Sequence, residues 1–280
     1  MNYPQAIVAL GHGSAHPGGF AATLAQLKRY PIPPGSDVLE VGCGTGRTAC
    51  HLAKQGARVT AVDINPIMLR KARWRAVQEG AAVAFVRGDA CALPFPDDRF
   101  DVVLVESVSV FVDTPAALSE YYRVLKPGGK LYDRENVATA PLTAEAAAAV
   151  SAFFGVEHLL TPLEWDPLLR RAGFKGVAIW GPFRYPTHLT AAESEVEPPD
   201  PLQAVDPWLV RSAQFAAVAA KYDEIMSTYG GQFGYAVFSG TKPPFGQYRA
   251  SPSPAATIKS QRSRGVKRAA TWTRRNIFRP

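Results

Sequence analysis

Between residues 37 and 135 the chain alternates short apolar runs with longer stretches in which apolar residues recur at helical spacing. Strands are predicted over 37–41, Arg58 to Val62, Ala82 to Val86, Phe100 to Val105 and Lys130 to Arg134. The runs at 37–41 and Phe100 to Val105 are nearly continuous in apolar residues, the pattern of a parallel strand buried on both faces. Helices are predicted over 46–55, Pro66 to Glu79 and Thr114 to Leu125. The second has Asn65 as its N-cap, with Pro66 in the first-turn position that proline favours. The third is stopped by Lys126-Pro127-Gly128-Gly129. Strand and helix in strict alternation predict an α/β fold with a doubly wound, mainly parallel sheet.

On either side of this block the pattern loosens. Upstream, Phe20 to Tyr30 has helical spacing and ends at Pro31, Pro33 and Pro34. Before it lies a glycine-rich loop, Gly11 to Gly19, that also carries His12 and His16. Downstream, helices are predicted over Thr143 to Phe154 and Glu164 to Ala172, and a sixth strand over Lys175 to Trp180. A polar, proline-rich insert follows at Pro182 to Pro207, then a helix over Trp208 to Tyr229 and a final strand over Gly234 to Gly240. No internal repeat is visible.

The chemistry concentrates at strand ends. The first strand runs into Val38-Leu39-Glu40-Val41-Gly42-Cys43-Gly44-Thr45-Gly46, where glycines alternate and a carboxylate precedes them. Such glycines allow a sharp turn and bring a ligand against bare backbone. A dinucleotide fingerprint is spaced G-x-G-x-x-G and faces a pyrophosphate; here the spacing is G-x-G-x-G, and Glu40 suits a cationic ligand better than an anionic one. The second strand ends at Asp63, where a carboxylate would accept from ribose hydroxyls, or form an Asx turn before the helix at 66. Gly88-Asp89-Ala90 follows the third strand, and Glu106-Ser107-Val108 the fourth.

This ordered set, spanning roughly 37–135, resembles the class I S-adenosylmethionine-dependent methyltransferases, in particular the small-molecule branch of the type 11-like members. The glycine loop corresponds to their motif I, and Leu125 to Gly129 to the turn before their fifth strand. The resemblance implies a Rossmann-like, seven-stranded sheet with a final antiparallel strand and a partly helical cap. It implies S-adenosylmethionine as cofactor and S-adenosylhomocysteine as product. The cofactor-binding set it implies is Glu40, Gly42, Cys43, Gly44, Gly46, Asp63, Ile64, Asp89, Ala90 and Glu106. Within it, Asp63 takes the ribose, Ile64 packs on the adenine, Asp89 and Ala90 meet the adenine edge, and Glu106 faces the ligand's ammonium. A methyl on a positive sulfur is already activated, so alignment is the main catalytic task. A general base is needed only for an acceptor that must lose a proton. The candidates are His12, His16 and Glu106, with His158 and Tyr185 also placed by position and type; the methyl acceptor itself stays open.

Composition narrows the class. The chain has 280 residues and is 47% hydrophobic, without an apolar stretch long enough to cross a membrane and without a secretory signal. Cys43, Cys50 and Cys91 lack metal-ligand spacing, so no metal site is expected, and the sparse set points to a reducing, cytoplasmic setting. The formal charge of +7 is misleading: residues 249–280 hold nine Lys or Arg and no acid, which leaves 22 basic and 24 acidic residues in the body. Three parts are therefore expected: a covering loop and helix at 1–36, a methyltransferase domain at 37–242 with its insert at about 182–207, and a basic disordered tail at 243–280. The region 136–230 is rich in aromatics, Phe153, Phe154, Trp165, Trp180, Phe183, Tyr185 and Trp208, most expected in the core and a few along an apolar acceptor pocket. Two alternatives to a small-molecule methyltransferase remain. One is a methyltransferase of RNA or protein that uses the 249–280 tail as a tether to phosphates. The other is an NAD-binding oxidoreductase, against which the glycine spacing speaks.

Overall fold

The computed structural model describes residues 1–156, 158–184 and 200–244. Two helices precede the sheet, α1 (Tyr3–Leu10) and α2 (Gly19–Arg29). The alternating block then runs β1 (Asp37–Val41), α3 (Arg47–Lys54), β2 (Arg58–Asp63), α4 (Pro66–Glu79), β3 (Val83–Arg87), β4 (Phe100–Glu106), α5 (Thr114–Val124) and β5 (Leu125–Ala138). It is followed by α6 (Ala144–Phe154), α7 (Pro162–Arg171), β6 (Lys175–Arg184), α8 (Pro207–Val210), α9 (Ala213–Tyr229) and β7 (Phe233–Thr241). The strand order is β3-β2-β1-β4-β5-β7-β6, with β7 antiparallel to both its neighbours and the first five strands parallel. The order reverses at β1 and β4, so the ends of these strands open the crevice where doubly wound sheets bind ligands.

The local signals act as their chemistry requires. Asn65 accepts from the Ile67 amide at 2.8 Å and caps α4 behind Pro66. Asp113 caps α5 by accepting from the Ala116 amide at 3.0 Å. Apolar side chains leave the sheet on both faces. Leu39, Val103, Val105 and Leu131 pack with Tyr121, Trp165 and Phe238 on one side, and Val38, Leu104 and Tyr132 pack with Ala49 and Leu52 on the other.

Four readings of the sequence are corrected. Helix α1 is absent from the predicted elements, although Asn2 and Gln5 close a reciprocal capping box at its start, each side chain accepting from the other's backbone at 3.0 Å. Strand β5 is longer than 130–134: Phe100 pairs with Leu125 and Val102 with Lys130, so the Pro-Gly-Gly segment between is looped out of a continuing ladder. The helix expected over 208–229 is two, because Asp206 caps α8 and the Ser212 hydroxyl accepts from Phe215 to start α9 afresh. Strand β6 continues past Trp180 to Arg184, into the start of the expected insert; it lies at the sheet edge, where Pro182 removes no needed ladder donor. Tyr185 and most of the insert and of the basic tail lie outside the described residues.

Candidate active site

The glycine loop leaves β1 with Gly42, Gly44 and Gly46 all at positive φ, 71°, 52° and 77°. At Gly42 the requirement is steric as well, since a Cβ there would sit 2.2 Å from Val108 Cγ2. At Gly44 a Cβ would meet nothing within 4 Å, so this backbone faces open space. The Gly42 and Cys43 amides donate to the Val62 carbonyl at 2.8 and 3.0 Å, which pins the loop to the end of β2. Asp63 then accepts from Gly44 N at 2.9 Å and from Asn65 N at 2.8 Å. The second bond is the Asx turn expected as an alternative, and it coexists with a place in the cavity wall. Burial raises the Asp63 pKa, while these amides pull it back.

The loop opens into a cavity of about 490 Å³. Of the residues singled out in the sequence, Glu40, Gly42, Cys43, Gly44, Asp63, Ile64, Asp89, Ala90, Glu106, His12 and His16 all line it. Gly46 does not line it; it caps α3 and packs against Ala72. Ile64 is 61% exposed, an apolar side chain held out of the core beside Asp63. Glu40 is buried, its Oε2 has no hydrogen-bond partner in the protein, and burial followed by the charges of Glu106 and Asp63 pushes its pKa well up. A buried carboxyl oxygen without a hydrogen-bond partner is costly. His158 is exposed and outside this wall.

Glu106, expected to face the ligand's ammonium, lines the cavity with its carboxylate already engaged by the protein. It is buried, and Thr23 and Thr48 each donate to one of its oxygens at 2.8 Å. Arg134, fully buried and opposite it in the β4–β5 register, pairs with the same carboxylate. His16 Nε2 lies 3.5 Å from Oε2. Burial would raise the Glu106 pKa, but Arg134, His16 and the two hydroxyls outweigh it and hold the group ionised, at about 2. Protein groups thus already engage both oxygens, and the carboxylate binds α2 and the His16 loop to the sheet.

Sequence reasoning missed a second buried cluster. Glu135 accepts from the amides of Val108 and Ser109 at 2.7 and 2.6 Å, and the Ser109 hydroxyl donates to Asp133 at 2.8 Å. Burial pushes Asp133 up to about 7 and Glu135 well above its ordinary range. This cluster holds the turn after β4, whose Ser107 and Val108 line the cavity. The available signal was Asp133-Arg134-Glu135 inside a central strand, three charges where apolar residues belong. Among the described residues no group of three or more His, Cys, Asp or Glu is arranged to hold a metal, and no helix is long and apolar enough to cross a membrane.

These features agree with the comparisons. Residues 39–133 match a family model described as a methyltransferase domain. The uncharacterized methyltransferase YodH of Bacillus subtilis is 33% identical over 239 residues, 84% of this chain and 97% of that one. The chain belongs to the class I S-adenosylmethionine-dependent methyltransferases, an enzyme family. A demethylmenaquinone methyltransferase of Thermus thermophilus is 44% identical over 97 residues, covering 34% of this chain and 44% of that one. Among solved structures, phosphoethanolamine N-methyltransferase 2 of Haemonchus contortus, in complex with S-adenosyl-L-methionine, superposes with a TM-score of 0.68 at 23% identity. The match covers 85% of this chain and 56% of that one. The [4+2]-cyclase SpnF shares the fold at a TM-score of 0.60 and 24% identity, over 80% of each chain.

Proposed function

We propose that this chain moves a methyl group from S-adenosylmethionine to a small-molecule acceptor, with catalysis mainly by alignment. The observation that carries the reading is a single cavity whose wall joins the glycine loop and strand-end carboxylates to apolar side chains of α1, α6 and α9. The cofactor fits the residues present. Glu40 offers an unsatisfied buried oxygen, Gly44 an open backbone, Asp63 and Asp89 carboxylates at successive strand ends, and Ile64 an exposed apolar face. When bound, the cofactor supplies a methyl already activated by a positive sulfur. The chain's part is to hold donor and acceptor in line and to exclude water, which can remove several kcal/mol from the barrier.

For an acceptor that must lose a proton, His16 is the group best placed to take it. It lines the cavity, and its Nε2 stands 3.5 Å from the Glu106 carboxylate, which orients the ring. Glu106 is then a positioning residue. Calorimetric titration of the full chain with S-adenosylhomocysteine and with NAD tests the donor reading. Saturable binding of the first is expected; binding of NAD alone would overturn it.

A further inference from the structure

We infer that the acceptor is an uncharged, predominantly apolar small molecule. The inference rests on the donor reading above and deepens it. The cavity wall divides by chemistry. Its carboxylates, Glu40, Asp63, Asp89 and Glu106, stand at or just beyond the ends of β1 to β4. Away from these, the wall is made of side chains such as Ile7, Val112, Val150, Leu159 and Met226, backed by the ring cluster of Tyr3 and Phe154, whose centroids are 4.8 Å apart.

Among the described residues, the wall contains no lysine and no arginine. Its groups able to carry positive charge are His12 and His16, and His16 faces Glu106. A phosphate or carboxylate entering here would lose its water and meet carboxylates rather than a guanidinium or ammonium. An ammonium acceptor is disfavoured for a different reason. The carboxylates that would pair with it belong to the donor end, and the apolar side chains beyond offer it no partner. Neutral polar contacts are available at the junction, where Asn136 donates to the Ser107 hydroxyl at 2.7 Å and keeps a buried carbonyl oxygen without a donor. That oxygen suits a single hydroxyl or amide on an otherwise apolar molecule. The volume, about 490 Å³ along a wall that also holds the donor residues, fits a compact acceptor rather than a polymer.

The test uses the full chain saturated with S-adenosylhomocysteine and the neutral fluorophore N-phenyl-1-naphthylamine, displaced by 1-octanol, octyl phosphate or octylamine. The fluorophore should bind, and the alcohol should displace it at a concentration lower by about tenfold or more than either charged analogue. Equal displacement by the phosphate or the ammonium overturns the inference and leaves the donor reading standing. Failure to bind S-adenosylhomocysteine at all removes the donor reading, and this one with it. Ile7→Lys places a cation in the apolar wall. It should keep S-adenosylhomocysteine binding, weaken the fluorophore and make octyl phosphate the better competitor by about tenfold. Should that variant not fold, Leu159→Lys applies the same change to a different part of the wall. Unchanged fluorophore affinity in a variant that folds places the probe elsewhere and overturns the inference.

Discussion

The two ends of the cavity are built from different materials. The end we assign to the donor is backbone and short loops at the ends of β1 to β4, with glycines at positive φ and carboxylates in the same wall. The acceptor end is side chains from α1, α6, α9 and the loops between, with few polar atoms. A constraint on backbone leaves little choice of residue, whereas an apolar wall accepts many residues of suitable volume. One cavity can therefore hold a constant donor at one end and an acceptor that differs among relatives at the other. The [4+2]-cyclase with this fold shows how far function can move while the architecture stays.

The largest effect should come from the junction of the two ends, the buried Glu106–Arg134 pair. Arg134→Met leaves an ionised carboxylate buried without its cation and should lower folding stability by about 3–5 kcal/mol. Adding Glu106→Gln should recover a large share of that loss, because the penalty lies in the unpaired charge. Denaturant unfolding of the three variants measures both. If the single variant loses less than about 1 kcal/mol, the pair does not tie α2 to the sheet as described.

The next effect concerns pH, since Glu106 at the end of β4 and the Asp133–Glu135 pair on β5 titrate with opposite sign. Glu106, held at about 2, contributes stability that is complete above its ordinary value of 4.5 and is lost as pH falls toward 2. Asp133 and Glu135, both raised by burial above their ordinary values of 3.8 and 4.5, hold between them a proton that the unfolded chain gives up. The contribution of the pair is therefore complete below 3.8 and is lost as pH rises above that value, at a slope of at most about 1.4 kcal/mol per pH unit for each proton held. Melting temperature should fall from pH 4 to 7, and the double variant Asp133→Asn, Glu135→Gln should flatten that slope. An unchanged slope would mean that the pair does not retain its proton.

At the donor end itself, Asp63→Ala should weaken S-adenosylhomocysteine binding by about 1–3 kcal/mol, through lost ribose contacts and loss of the bond that orients Gly44. Calorimetry on a variant that keeps its melting temperature reads this directly. Unchanged affinity would remove Asp63 from the cofactor site.

The same contrast explains what could be read in the sequence. Glu40, Gly42, Gly44, Asp63 and Asp89 follow one another in strict order at or beyond strand ends, and each sits in the cavity wall. Their positions depend on local chain geometry, which spacing records. The role of Glu106 was not legible, because Thr23, Thr48, His16 and Arg134 reach it from distant parts of the chain. The acceptor wall was less legible still. Phe154 lines it, whereas Trp165 stacks on Phe238 in the core and Trp208 is 84% exposed, and aromatic content alone does not separate these fates. Helix α1 was a different kind of miss: its capping box stands in the sequence, but an eight-residue helix is marginal without the packing that stabilises it.

That dependence of α1 on its neighbours supplies the smallest effect. The Lys71 ammonium on α4 donates to the Val8 carbonyl of α1 at 2.6 Å, and Thr45 of the glycine loop donates to the His12 carbonyl at 3.3 Å. These are polar ties from the donor framework to the segment that covers it. Lys71→Met removes the stronger and should lower global stability by no more than about 1 kcal/mol, since the bond is partly exposed. Its effect should instead be local. Amide exchange in α1 should accelerate severalfold, while that in β1 and β4 stays as it was, because opening a peripheral helix does not require opening the sheet. If β1 and β4 accelerate equally, α1 opens only with the whole domain, and the covering segment belongs to the same cooperative unit as the donor end.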